Sequence, residues 1–221
     1  KVQASKKVLL ITAAWQKREF AEKHVQKALY DMGLTPDFKG SYDQNLQNLS
    51  IYHSFNFFKK EEPEIYQNYH SKQKVIQQVK LFYREKNSGL IRILQNQLGL
   101  LKSTFNGVTL YKVLSYNVNI PVTELNHWEL LYHYACQDIQ DTMEKIRQND
   151  AQMLKVCHEI DDYFFASSAV EENALYQKIR SELKANILSA NSIFIFGGNI
   201  AVLFNRLNFF RLKEVFEEAL A

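Results

Sequence analysis

Glycine and proline are scarce: seven Gly and three Pro occur in 221 residues, and neither occurs from Val122 to Phe196. So long a stretch without a strong breaker predicts long helices. No run of about 18 apolar residues is present, which excludes a membrane-spanning helix. Charge of one sign is not in excess, with 27 Lys and Arg against 24 Asp and Glu. The longest basic clusters are Lys6-Lys7 and Lys59-Lys60, and Glu61-Glu62 offsets the second. Nucleic-acid binding is therefore not expected, because phosphate contact needs Lys and Arg gathered on one face. Cysteine is limited to Cys136 and Cys157. In continuous helix they would lie about 30 Å apart, too far for a disulfide. Two unpaired thiols, and the lack of a signal-peptide pattern in the polar Lys1 to Lys7 and the short apolar run Val8 to Trp15, predict a reducing, cytoplasmic setting. What is present in quantity is 46% hydrophobic and 23% charged residues. Those proportions are globular and exclude collagen-like, low-complexity and wholly disordered chains.

The pattern changes along the chain. Lys7 to Ala14 is a short continuous apolar run, the mark of a strand buried on both faces. Glu19 to Met32 repeats apolar residues at helical spacing, with Gly33 as its C-cap. Residues 35–50 are polar and turn-rich. Asn48 to Phe58 alternates through Leu49, Ile51, His53, Phe55 and Phe57, which reads as a short strand. From Glu64 to Leu101 the period is helical, with a break expected at Asn87-Ser88-Gly89. Val108 to Tyr116 fits a strand or irregular chain. A long amphipathic helix is expected over 123–165, opened by a capping box of Asn126 and Glu129, with a break near Asn149-Asp150 left open. Another follows from Val170 to Leu188. Asn191 to Asn199 reads as a buried strand closing on a Gly-Gly turn, followed by helices at Ile200 to Leu207 and Leu212 to Leu220.

Few residues carry candidate chemistry. In Phe196-Gly197-Gly198-Asn199 a strand ends on two glycines, so backbone N–H groups can approach a ligand as anion or oxyanion donors. The same pattern also serves a tight structural turn. No GxGxxG or P-loop signature accompanies it, and no ribose-reading acid is placed by spacing, which weakens nucleotide binding. His158 and Asp162 stand four apart on a helix and could share a metal, beside Cys157 and Asp161. A solvated helix face is the better reading, and no metal or cofactor is expected. His127 and His133 fall on different helix faces. Ser167-Ser168 reads as a helix break and N-cap ahead of Glu171-Glu172. Tyr52, Phe55, Phe57 and Phe58 read as core packing.

The run Ile193-Phe-Ile-Phe-Gly-Gly-Asn-Ile-Ala-Val-Leu-Phe-Asn-Arg-Leu207 resembles the GGGN strand-turn-helix of the peptidase E and cyanophycinase group. Ala190-Asn191-Ser192 is similar to that group's lead-in, with Asn191 where Asp is usual, and Val8 to Ala14 with the helix after it is similar to its first strand and helix. These stretches cover roughly a quarter of the chain. The resemblance implies an α/β, flavodoxin-like (class I glutamine amidotransferase-like) sheet. The α/β portion would be 1–58 and 189–221, with a large mainly helical insertion at 59–188. It also implies a Ser-dependent amide hydrolase acting on a peptide or amide through an acyl-enzyme, with Gly197, Gly198 and Asn199 framing the substrate or oxyanion side. Two departures stand out: Phe196 replaces the first glycine, and no G-x-S-x-G elbow occurs before Ala221. The expected scaffold is thus truncated before its nucleophile or non-catalytic, and no catalytic residue is named. The alternative is a non-catalytic helical module that binds a protein partner or self-associates, since so long an apolar stripe needs a surface to bury it.

Overall fold

The computed structural model describes residues 7–20, 25, 27, 30, 31 and 46–220. Most of the helix expected over Glu19 to Met32, its Gly33 cap, and the turn-rich segment up to residue 45 lie outside the described residues. The chain divides into two compact units, Lys1–Asn68 with Ser168–Ala221, and Tyr69–Ser167.

Three strands form the sheet: β1 (Val8–Ile11), β2 (Leu46–Asn48) and β3 (Ser192–Ile195). They are parallel in the order β2-β1-β3, with Val8 level with Leu46 on one side and Ser192 on the other. Val25, Lys27, Tyr30 and Asp31 are helical, and after β2 the helices among the described residues are α1 (Ile51–Glu61), α2 (Pro63–Thr104), α3 (Leu110–Leu114), α4 (His127–Ser168), α5 (Ala174–Leu188), α6 (Ile200–Phe209) and α7 (Lys213–Leu220). Short 3-10 turns occupy Ala13–Arg18, Val122–Glu124 and Val170–Glu172.

The flavodoxin-like sheet is not what forms. Among the described residues the strands are four, three and four residues long, and nearly all else is helix. The segment read as a strand over Asn48 to Phe58 is α1 from Ile51 onward. Its buried residues, Ile51, Phe55 and Phe58, return at the i, i+4, i+7 spacing of a helix. Val108 to Tyr116, where a strand was open, contains α3. Only β1 keeps the expected burial on both faces. β3 is an edge strand, with Ser192 and Ile195 exposed.

In the first unit, rings of Phe55, Phe58, Tyr176, Phe209 and Phe210 pack edge to face or tilted, with centroids such as Phe55–Phe209 at 5.0 Å, and Tyr176 stacks on Phe210. Each fully buried ring is worth roughly 2–3 kcal/mol of transfer free energy. Two hydrogen bonds fix the α6–α7 corner against α5: Tyr176 Oη donates to Phe209 O at 2.8 Å, and Arg180 Nε to Phe210 O at 3.1 Å. The Arg206 guanidinium lies 4.1 Å over the Phe55 ring and so joins α6 to α1.

The second unit is built on α2 and α4, each 42 residues long. They run antiparallel, since Lys72 meets Asp161, Asn87 meets Asn149, and Gln97 meets Thr142. The expected break at Asn87-Ser88-Gly89 does not occur. Asn149 Nδ2 donates to Asn87 Oδ1 at 2.8 Å, and Asn87 Nδ2 donates to Asp150 Oδ1 at 2.8 Å. These bonds satisfy the amides inside the seam, and both helices run on unbroken. Leu101, Val113, Cys136 and Ile139 form a small apolar cluster at the loop end. There Gln140 Nε2 donates to the carbonyls of Val113 and Tyr116, both at 2.8 Å. The Asn126–Glu129 capping box opens α4: Asn126 N–H donates to Glu129 Oε2 at 2.9 Å and Glu129 N–H to Asn126 Oδ1 at 3.1 Å.

Candidate functional site

All three strands end on the same edge of the sheet because they are parallel. The loop after β1, the start of α1 after β2 and the turn after β3 therefore gather there, where open parallel sheets place ligands. The β1 loop is the hub. Phe196 N–H donates to Ile11 O at 3.0 Å, Asn199 N–H to Ala14 O at 3.0 Å, and Trp15 Nε1 to Gly197 O at 2.8 Å. Trp15 also packs against Phe196, with ring centroids 5.7 Å apart. Within the loop Gln16 is held at φ 58°, a conformation unfavourable for a side chain with Cβ.

The Gly197-Gly198-Asn199 turn lies against this hub. Gly198 has φ 151°, and a Cβ there would meet Ala14 O at 2.9 Å, so the position requires glycine. Gly197 has open space around it. Both glycines are exposed, and among the described residues neither N–H has an intramolecular acceptor. Asn199 is occupied otherwise. Its Oδ1 accepts from Val202 N–H at 3.1 Å and caps α6. The arrangement offers two backbone donors at the end of β3, with Asn199 and Ala14 as their anchors.

A second feature was not foreseen from the sequence. The Glu19 side chain is wholly buried at the N-terminus of α1. Its Oε1 accepts from Tyr52 N–H at 2.7 Å, and its Oε2 from His53 N–H at 2.9 Å and His53 Nδ1 at 2.6 Å. A carboxylate that accepts two backbone N–H groups also takes a proton-bearing Nδ1, which leaves Nε2 as the imidazole's free nitrogen. Asn48 Nδ2 and Thr12 Oγ1 both donate to Glu19 O and lock its backbone. Ser50, at the N-cap of α1, makes no side-chain cap, since Glu19 has taken the amides it would serve. Ser50 and His53 line a cavity of about 290 Å³ between α1 and α5, with Ser54, Phe57, Lys178 and Glu182. Chemically this is an oriented imidazole beside hydroxyls and both signs of charge, a set able to bind a small polar molecule and to move a proton at Nε2.

The other candidates are placed as follows. Asp161 pairs with the buried Lys72, and Cys157 is buried in the seam. His158 and Asp162 are exposed on α4, and no group of three or more His, Cys, Asp or Glu positioned to hold a metal occurs among the described residues. His133 is buried and His127 exposed. Ser167 Oγ donates to Phe164 O at 3.4 Å. The cap after the break is Asn173, not a serine: its Oδ1 accepts from Tyr176 N–H at 3.0 Å, following Ala169 at φ 49°. Of the aromatic group, Phe55 and Phe58 are core while Phe57 is exposed at the cavity. No helix among the described residues is long and apolar enough to cross a membrane.

Comparison with protein-family models, with curated proteins and with solved structures gives no match.

Proposed function

We propose that the first unit carries the substrate side of a peptidase E-like amide hydrolase, with the Gly197 and Gly198 N–H groups as donors to a carbonyl oxygen or oxyanion. The observation that carries this reading is the pair of exposed, unpartnered backbone N–H groups at the carboxyl end of β3, held by Gly198, whose positive φ lets it lie close against Ala14. Such donors stabilise the charge that develops on oxygen during acyl transfer. The resemblance around Phe196 to Asn199 supports the same reading. The sequence has no G-x-S-x-G elbow, so no nucleophile is assigned and the proposal concerns binding of the amide. Titration of ¹⁵N-labelled protein with an N-acetyl amino-acid amide tests it. The Gly197 and Gly198 amide signals should shift, while Gly107, in a turn of the second unit, stays fixed. Unmoved Gly197 and Gly198 signals at saturating amide would remove the reading.

A further inference from the structure

The second unit leaves a face uncovered. Along α2, Val75, Phe82, Ile93 and Leu100 are exposed to 51%, 64%, 49% and 70%. At about 100° per residue they fall within about 20° of one line. Each immediately precedes a half-buried or buried residue, Ile76, Tyr83, Leu94 and Leu101, of which Leu94 and Leu101 pack with Cys136 and Ile139 of α4. On α4, Leu131, Tyr134 and Tyr163 are likewise exposed and immediately precede Tyr132, Ala135 and Phe164. In an antiparallel pair, residues one place before the seam fall on the same side of both helices. The two sets therefore lie on one side of the hairpin, spread over about 38 Å along α2 at about 1.5 Å per residue, with exposed polar residues such as Lys86, Asp141, Lys145 and Gln148 between them. An exposed apolar surface of that kind marks an interaction site.

The charges on the two helices indicate what covers it. α2 has seven Lys and Arg against two Glu, a net of five positive charges. α4 has three Lys and Arg against eight Asp and Glu, a net of five negative charges. A two-fold axis along the hairpin sets α2 of each copy beside α4 of the other, so opposite charges meet twice and like helices lie diagonally apart. We propose that this face is where a second copy of the chain packs, and that the two hairpins close into an antiparallel four-helix bundle. The proposal stands apart from the site in the first unit.

Sedimentation equilibrium of the full chain over a range of concentrations tests it. The expected mass is twice 25.9 kDa. A Phe82→Glu/Leu100→Glu variant should dimerise on the order of a hundredfold more weakly with unchanged helical circular dichroism. Gln95→Glu, on the opposite side of α2, should leave the dimer intact. Should the double glutamate variant lose its helical signal, Ile93→Ala/Leu100→Ala, which only removes contact area, decides in its place. A wild-type chain that stays monomeric at every concentration overturns the proposal and leaves the face to a different protein. A dimer that survives the substitutions on the stripe overturns it equally.

Discussion

In the first unit the buried polar groups, Thr12 and Glu19, bond to one another and to the start of α1, and aromatic rings fill the space around α1, α5 and α6. In the second, Lys72, Asn87, Thr142 and Asn149 are buried along the α2–α4 seam, while Phe82 and Leu100 face water. A polar seam fixes which residues of two long helices meet, since any slip leaves an amide or an ammonium unpartnered. It adds less stability than an apolar seam would. The difference teaches that the first unit is organised for a dense core and a shaped loop edge, and the second for register and an outward surface.

Substitutions can break or sharpen that contrast. The largest effect is expected from Phe209→Ala, about 4 kcal/mol lost in urea unfolding, because five rings lean on one another there. A loss near 1 kcal/mol would erase the claim of a denser core. Glu19→Ala should cost about 3 kcal/mol, since the Tyr52 and His53 amides lose a buried acceptor. Hydrogen exchange at those two amides should rise with it, and unchanged exchange would show that something else caps α1. Gly198→Ala should cost about 2 kcal/mol through its φ and the Ala14 overlap, while Gly197→Ala is near neutral; equal effects would contradict the geometry. In the seam, Asn87→Leu should cost roughly 1.5 kcal/mol by stranding Asn149, and Asn87→Leu/Asn149→Leu should recover most of it. No recovery would mean the seam values its amides for more than pairing.

The smallest effect is on pH. Burial pushes the Cys136 thiol up, a hydrogen bond with Tyr132 opposing it, and burial likewise raises Tyr132. The folded chain holds these protons more tightly than the unfolded one. This contribution is complete at neutral pH and falls as pH rises past the ordinary thiol and phenol range. A lower urea midpoint for the α4 helical signal above about pH 9 is expected. A midpoint that rises there would reverse the assignment.

The sequence showed some parts of this fold and not others. Val8 to Ile11 was legible because a strand buried on both faces is apolar throughout. Gly198 was legible because its conformation admits almost no other residue. Asn48 to Phe58 misled because alternation and the helical period select overlapping residues, and the rings on α5 and α6 settle the choice. Asn87-Ser88-Gly89 read as a break because the amide's partner, Asn149, lies on another helix. The flavodoxin-like sheet was inferred from two short stretches at the chain's ends, and the long helices between them supply no further strands among the described residues. The pairing of Glu19 with His53 escaped notice because no motif joins residues so far apart.

That separation has a consequence for assembly. Glu19 reaches its partners across 33 and 34 positions of chain. The beginning of α1 is thus specified by a distant residue rather than by its own neighbours. Until β1 and β2 lie side by side, the amides of Tyr52 and His53 wait on solvent, and the loop must close before the helix gains its first anchor. The isolated stretch from Ser50 to Glu62 should start raggedly. In the whole chain the firm start of α1 depends on the pairing of β1 with β2.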